Sequence, residues 1–225
     1  KSTPRDPALL WLDKNENLDP ELLALSHRIL QELPPASLAT YPEAGEIYRK
    51  LGRWAGVDPA NLLLTPGSDG AIRLAFDAFV EPGDDVIHTE PTFAMYPVYS
   101  LMFGAQALRV EYARGDRGPL LDTEAIFTAL RTRKPKLLCL PNPDSPTGTT
   151  LAPEVLRWLL AECEANETVL LLDEAYHPFH DWTAAAWTAQ SRNLVLARTF
   201  AKAWGCAGLR IGYAVGHPET IALMH

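Results

Sequence analysis

The chain has 225 residues, 47% of them apolar and 21% charged, a balance that excludes a disordered tail, a collagen-like repeat and a disulfide-built miniprotein. A sum of 20 basic against 28 acidic side chains leaves a net charge of −8, which excludes a general binder of nucleic acid or of anionic membrane, because those need a basic face to neutralise phosphates. No run approaches the roughly 20 apolar residues that a spanning helix requires.

The first 60 residues read as two helices, over 20–33 and 45–55, joined by a loop over 34–42. Its Pro34-Pro35-Ala36-Ser37 cannot continue a helix, since the proline ring removes a donor and clashes with the preceding turn. Beyond residue 60 short apolar runs alternate with longer amphipathic segments, the pattern of a mainly parallel sheet covered by helices on both faces. Seven strands are predicted, at 62–65, 86–89, 107–111, 136–140, 168–172, 194–198 and 211–215. Helices are predicted at 69–80, 93–103, 122–131, 153–166 and 218–225, with Ser68 or Asp69, Asp122 and Pro153 as their start signals. The cysteines Cys139, Cys163 and Cys206 are scattered and odd in number, which suits a reducing compartment. Because residues 1–7 also lack the apolar stretch of a secretory signal, a cytoplasmic protein is expected.

Ligands of open α/β sheets collect beyond the carboxyl ends of the strands, so polar residues after apolar runs are the first candidates. Four stretches qualify. Thr65-Pro66-Gly67-Ser68-Asp69-Gly70 is a glycine turn entering a helix, either a plain connection or a phosphate seat at the helix's positive end. It matches neither the dinucleotide fingerprint nor the P-loop. Pro141-Asn142-Pro143-Asp144-Ser145-Pro146-Thr147-Gly148 is a rigid loop that either only connects or aims Asn142, Asp144 or Ser145 at a ligand. Asp173-Glu174-Ala175-Tyr176 puts a carboxylate at the end of an apolar run, where Asp173 either caps the next element or meets a cation such as a cofactor's ring nitrogen. In Thr199-Phe200-Ala201-Lys202, followed by Trp204 and Arg210, the lysine is either a solvated surface group or an amine made nucleophilic by apolar company and a nearby cation. His88, His177, His180 and His217 have no ligand-like spacing, and no metal site is expected.

Taken in this order, and with Leu12-Asp13-Lys14-Asn15-Glu16-Asn17, Tyr41-Pro42-Glu43, Glu90-Pro91-Thr92-Phe93-Ala94-Met95-Tyr96 and Ala207-Gly208-Leu209-Arg210, the motifs resemble the fold-type-I pyridoxal-phosphate aminotransferases of class I and II. They are most similar to the histidinol-phosphate aminotransferase group. The resemblance implies an α/β/α large domain built on a mostly parallel seven-stranded sheet at 41–216 and an N-terminal arm at 1–40. Residues 217–225 would begin a linker helix to a small C-terminal domain absent from this chain. It implies that Lys202 holds pyridoxal 5'-phosphate as a Schiff base and moves the substrate's α-proton. Asp173 pairs with the ring nitrogen, Tyr176 bonds the ring phenolate oxygen and Phe93 stacks on the ring. Ser68, Asp69, Thr199 and Arg210 receive the phosphate, with Tyr41 reaching that of a neighbouring subunit, so a homodimer follows. Asn15 approaches the substrate. The implied activity is transfer of an amino group from an amino acid or amine, histidinol phosphate among them, to a 2-oxo acid. Its rivals are decarboxylation of an amino-acid phosphate and a cofactor-binding fragment without turnover. Two departures stand inside the motifs: Ser145 replaces the usual Asn before Pro-Thr-Gly, and Ala201 replaces the usual Ser before the lysine.

Overall fold

The computed structural model describes residues 4–6, 8–9, 11–116 and 118–225. Two helices come first, α1 (Pro20–Gln31) and α2 (Gly45–Ala55), separated by a short 3-10 turn at Pro35–Leu38 where the prolines interrupt the chain. Strands β1 (Leu62–Thr65), β2 (Asp85–Glu90), β3 (Gln106–Gly115), β4 (Gly118–Leu121), β5 (Leu137–Pro141), β6 (Val169–Asp173), β7 (Leu194–Thr199) and β8 (Gly212–Gly216) follow. Between them run α3 (Gly67–Phe79), α4 (Met95–Met102), α5 (Thr123–Arg133) and α6 (Pro153–Ala165), and α7 (Pro218–Leu223) comes last.

Among the described residues the sheet has eight strands in the order β1-β8-β7-β6-β5-β2-β3-β4. All seven expected strands are present, and β4 corrects the count. It is a short, largely exposed hairpin partner of β3, paired antiparallel from Tyr112↔Leu121 to Gly115↔Gly118, and its Pro119 hides it from a strand pattern. The central pairs β3/β2, β2/β5, β5/β6 and β6/β7 are parallel, while β8 runs antiparallel to both β7 and β1.

The α/β/α layering follows from side-chain alternation along the buried strands. Leu138 and Leu140 of β5, with Leu170 and Leu172 of β6, pack with Ile126 and Leu130 of α5 and Leu156 and Leu159 of α6. Their neighbours Leu137, Cys139, Val169 and Leu171 face the opposite side, toward Ile72 and Phe76 of α3, Tyr96 and Tyr99 of α4, and Ile221 of α7. Each fully buried leucine contributes about 2 kcal/mol by removal from water, so the central strands are held from both faces. No helix among the described residues is long and apolar enough to cross a membrane.

Candidate active site

The carboxyl ends of β5, β6 and β7 and the N-terminus of α3 open on one cavity of about 490 Å³. It brings together Asn15, Ser68, Asp69, Phe93 and Ser145 with Asp173, Tyr176, Thr199, Lys202 and Arg210. Of the residues expected at the site, Tyr41 stands apart: it is fully exposed, between the 3-10 turn and α2.

One end of the cavity suits an anion. Helix α3 begins at Gly67, two residues before the expected start, because Pro66 takes the cap position and offers no side-chain bond. Ser68 and Asp69 therefore sit in the first turn, whose N–H groups have no intrahelical acceptor, rather than capping it. Gly67 has φ +76°, and a Cβ there would come within 3.0 Å of Arg210 Nη2, so the missing side chain is what admits the guanidinium. Gly212 of β8 plays the same part behind it: a Cβ would lie 2.5 Å from the Arg198 carbonyl and closer still to Gly67. Arg210 itself holds a left-handed backbone at φ 50°, a conformation that costs a non-glycine residue free energy and is retained where the surroundings impose it. Thr199, the last residue of β7, completes this end, its hydroxyl accepting the Ala201 N–H at 3.0 Å.

The other end suits a cation. Asp173 ends β6 with 5% of its surface exposed. Its Oδ1 accepts the Ala175 N–H at 3.0 Å and its Oδ2 accepts the Tyr96 hydroxyl at 3.1 Å. Burial pushes its carboxyl up to about 6, against the pull of these two donors. A carboxylate so placed is stabilised by any cation that enters the cavity. Phe93 and the Lys202 amine line the same cavity. Lys202 Nζ donates to the Lys14 carbonyl at 2.6 Å and lies 5.8 Å from the Tyr176 ring centroid. The Tyr176 hydroxyl accepts from Asn15 Nδ2 at 2.8 Å.

Of the three loop candidates only Ser145 lines this cavity. Asn142 is structural: its Oδ1 accepts the Leu151 N–H at 2.9 Å, and its own N–H donates to the Asp173 carbonyl at 2.8 Å. Asp144 folds back to accept the Thr147 N–H at 2.9 Å. A second cavity, of about 620 Å³, shares Asn15, Ser145 and Tyr176 with the first and reaches Phe179 and His180.

Behind the strand ends lies a buried polar cluster that sequence reading missed. Arg198 donates through Nε and Nη2 to Glu174 Oε2 at 2.9 and 2.7 Å, and Glu174 also accepts from the Thr183 hydroxyl and the Ala184 N–H. Both charges are almost fully buried. They flank Asp173 and Thr199 in sequence and fasten β6 to β7 where the cavity begins. Tyr96 was missed as well, although it closes a quoted motif, because its partner Asp173 is 77 residues away.

The cavity thus offers first-turn N–H groups and a guanidinium that suit an anion, a buried carboxylate that suits a cation, an aromatic ring and an amine. The family model for aminotransferase class I and II matches residues 7–225. Histidinol-phosphate aminotransferase 1 of Cupriavidus pinatubonensis is 39% identical over 196 residues, covering 84% of this chain and 50% of that protein. The histidinol-phosphate aminotransferase of Caldanaerobacter subterraneus subsp. tengcongensis is 34% identical over 184 residues, with 82% and 51% covered. A solved structure of histidinol-phosphate aminotransferase from Sinorhizobium meliloti, in complex with pyridoxal-5'-phosphate, superposes with a TM-score of 0.76 at 28% identity, covering 92% of this chain and 56% of that one. The chain thus spans about half the length of the curated relatives it matches.

Proposed function

The chain belongs to the aminotransferase class I and II family, and from that premise we propose that its cavity binds pyridoxal phosphate and serves transfer of an amino group from an amino acid or amine to a 2-oxo acid. The buried carboxylate of Asp173 carries this reading. A nearly fully buried acid with two neutral donors that also lines the cavity gains most from a cationic partner, and a protonated ring nitrogen is one.

Once bound, the cofactor supplies an electron sink for the bond broken at the substrate's α-carbon. The protein's residues do the rest. Lys202 would hold the cofactor's aldehyde carbon through Nζ, and once the substrate's own amine has displaced it there, the freed amine would take the proton from the substrate's α-carbon. Asp173 would keep the ring nitrogen protonated, Tyr176 and Ser145 would present hydroxyls to the ring oxygen, and Phe93 would cover the ring face. The N–H groups of Ser68 and Asp69, the Thr199 hydroxyl and the Arg210 fork hold the phosphate. Asn15, which lines both this cavity and the adjoining one, would face the substrate.

Residues 1–40 would then be the arm, 41–216 the cofactor-binding domain and 217–225 the opening of a linker helix. Tyr41, fully exposed on its own chain, would serve the phosphate of a second copy. Helix α1 supports a homodimer, since it buries no residue and leaves Leu23, Leu25, Ile29 and Leu30 exposed. Histidinol phosphate is the amino donor we favour, from the names of the relatives at 34% and 39% identity. A cytoplasmic setting goes with this reading, one in which the free thiols of Cys139, Cys163 and Cys206 stay reduced.

The test is a visible spectrum of the protein with pyridoxal phosphate, then borohydride reduction and mapping of the labelled peptide. Label on Lys202, with loss of the band on adding histidinol phosphate and its return with a 2-oxo acid, is the expected result. A folded protein that gives no band, or label on another lysine, overturns the reading.

A further inference from the structure

Asp173 is faced by four titratable groups: Tyr96 from α4, Cys139 from β5, Glu174 beside it in the chain and Lys202 from beyond β7. Three of them make no hydrogen bond to it among the described residues. Glu174 is committed to Arg198, the Cys139 thiol is pushed up by burial and stays neutral, and the Lys202 amine is bonded to the Lys14 carbonyl. Tyr96 alone donates a side-chain proton, at 3.1 Å to Oδ2, and is itself wholly buried.

We propose that Tyr96 is a positioning residue for Asp173, holding its carboxylate ionised and aimed into the cavity so that it meets the cationic ring nitrogen of the cofactor. The identity of that cation rests on the reading of the preceding subsection; the effect of Tyr96 on the carboxylate does not.

Three features of the geometry support this role. A carboxylate has about four lone-pair directions, and the two donors, Ala175 N–H on Oδ1 and Tyr96 on Oδ2, leave others open toward the cavity that Asp173 lines. The Tyr96 ring is fixed edge-on against Phe93, with centroids 5.8 Å apart at 84°, and its N–H donates to the Phe93 carbonyl at 3.1 Å. One turn of chain thereby sets both the aromatic side chain in the cavity and the donor on the carboxylate. Finally, burial and the neighbouring Asp173 push the Tyr96 hydroxyl well above its ordinary value of 10, so it remains a donor throughout the working pH range.

Replacing Tyr96 by Phe removes only the hydroxyl. A hydrogen bond to an ionised group favours the charged form, so its loss raises the pH at which Asp173 ionises, by about one unit. The midpoint is read without cofactor, from the carbonyl signal of ¹³C-labelled aspartate, assigned by its disappearance in Asp173→Asn. The control is Tyr99→Phe, on the same helix, whose hydroxyl bonds Asp69 at 2.9 Å instead. We expect the midpoint to rise in Tyr96→Phe and to stay in place in Tyr99→Phe. A midpoint unchanged in folded Tyr96→Phe overturns the proposal.

Binding of pyridoxal phosphate gives the second readout. If only the ionised carboxylate accepts the cofactor, a one-unit rise from about 6 weakens binding about fivefold at pH 6 and hardly at pH 8. Equal weakening at both values marks a packing role and overturns the proposal. A wild-type protein that binds no pyridoxal phosphate overturns the cofactor reading, while the aspartate midpoint still decides the role of Tyr96.

Discussion

The cavity is walled by two regions built on opposite terms. At the carboxyl ends of β6 and β7, Asp173, Glu174, Arg198 and Thr199 are all buried, and Glu174 and Arg198 satisfy each other together with Thr183. The arm covers the same opening with exposed or half-buried residues. It touches the domain through Asn15 on the Tyr176 hydroxyl, the Lys14 carbonyl on Lys202 Nζ and Asn17 on the Ala203 carbonyl at 3.0 Å, while Arg5 pairs within the arm, with Asp13 and Glu16. The difference separates precision from exchange. The Asp173 carboxylate and the Glu174–Arg198 pair stand where water cannot compete for them. The arm's contacts compete with water, so the Lys202 amine and the Tyr176 hydroxyl can trade them for a ligand.

The sharpest way to break this contrast is Arg198→Met. Among the described residues it leaves the Glu174 carboxylate with the Thr183 and Ala184 donors alone, and loss of one partner from a buried pair costs about 3–5 kcal/mol. A urea unfolding curve should show that loss, and the double variant Arg198→Met with Glu174→Leu should recover part of it. A single-variant loss below about 1 kcal/mol would mean that the cluster is hydrated and the contrast with the arm is lost.

A second effect, of nearly the same size, comes from Asp173. Burial raises its carboxyl from an ordinary 3.8 to about 6, so the folded chain binds this proton more tightly than the unfolded one. The contribution to stability is therefore fully present below about pH 4 and declines as pH rises to 6. About two units correspond to roughly 3 kcal/mol. Asp173→Asn should abolish this decline and leave the cofactor-free variant more stable than its parent at pH 8 by up to about 3 kcal/mol. Thermal unfolding at pH 4, 6 and 8 measures it. A parent whose stability, taken relative to Asp173→Asn, does not fall between pH 4 and 6 contradicts the burial argument.

How much of this was legible in the sequence follows from the range of each interaction. Asp173 could be found because it directly follows an apolar run, and Thr199 and Lys202 because they stand just past the next one, the lysine flanked by Phe200, Ala203 and Trp204; a strand's end is a local signal. Tyr41 and Asn15 came from motif resemblance alone; Asn15 then lies in the cavity, and Tyr41 lies outside it on its own chain. The start of α3 was misplaced because Ser68 and Asp69 look like caps, whereas the left-handed Gly67 opens the helix. Helix α4 likewise starts at Met95, two residues after the expected Phe93, which is left free to face the cavity. The Glu174–Arg198 pair was invisible because, 24 residues apart, each reads as a surface charge. Only the pairing of β6 with β7 turns both inward.

On the buried side a missing donor should be restorable at nearly full value. Ala201 is 7% exposed, lines the cavity and stands where the family pattern carries a serine hydroxyl. Its backbone is already fixed by its N–H bond to Thr199, so little ordering is needed to present a new hydroxyl. Ala201→Ser should tighten pyridoxal phosphate by about fivefold, the equivalent of roughly 1 kcal/mol for one added hydrogen bond. Fluorescence titration decides it, and unchanged or weaker binding would show that the phosphate does not reach this residue.

The smallest effect is expected on the arm, and it tests the other half of the contrast. Asn15 is exposed, holds φ 52° and, among the described residues, makes a single side-chain bond, to the Tyr176 hydroxyl. Its replacement by Ala frees the arm without leaving any buried group unsatisfied, since water reaches both partners. The urea midpoint should stay within about 0.5 kcal/mol of the parent. Amide protection over residues 11–19 should fall, because local opening there is decoupled from global unfolding. A loss of global stability comparable to that of Arg198→Met would make the arm part of the cooperative core, and the exchange of its contacts for a ligand would then require partial unfolding of the domain itself.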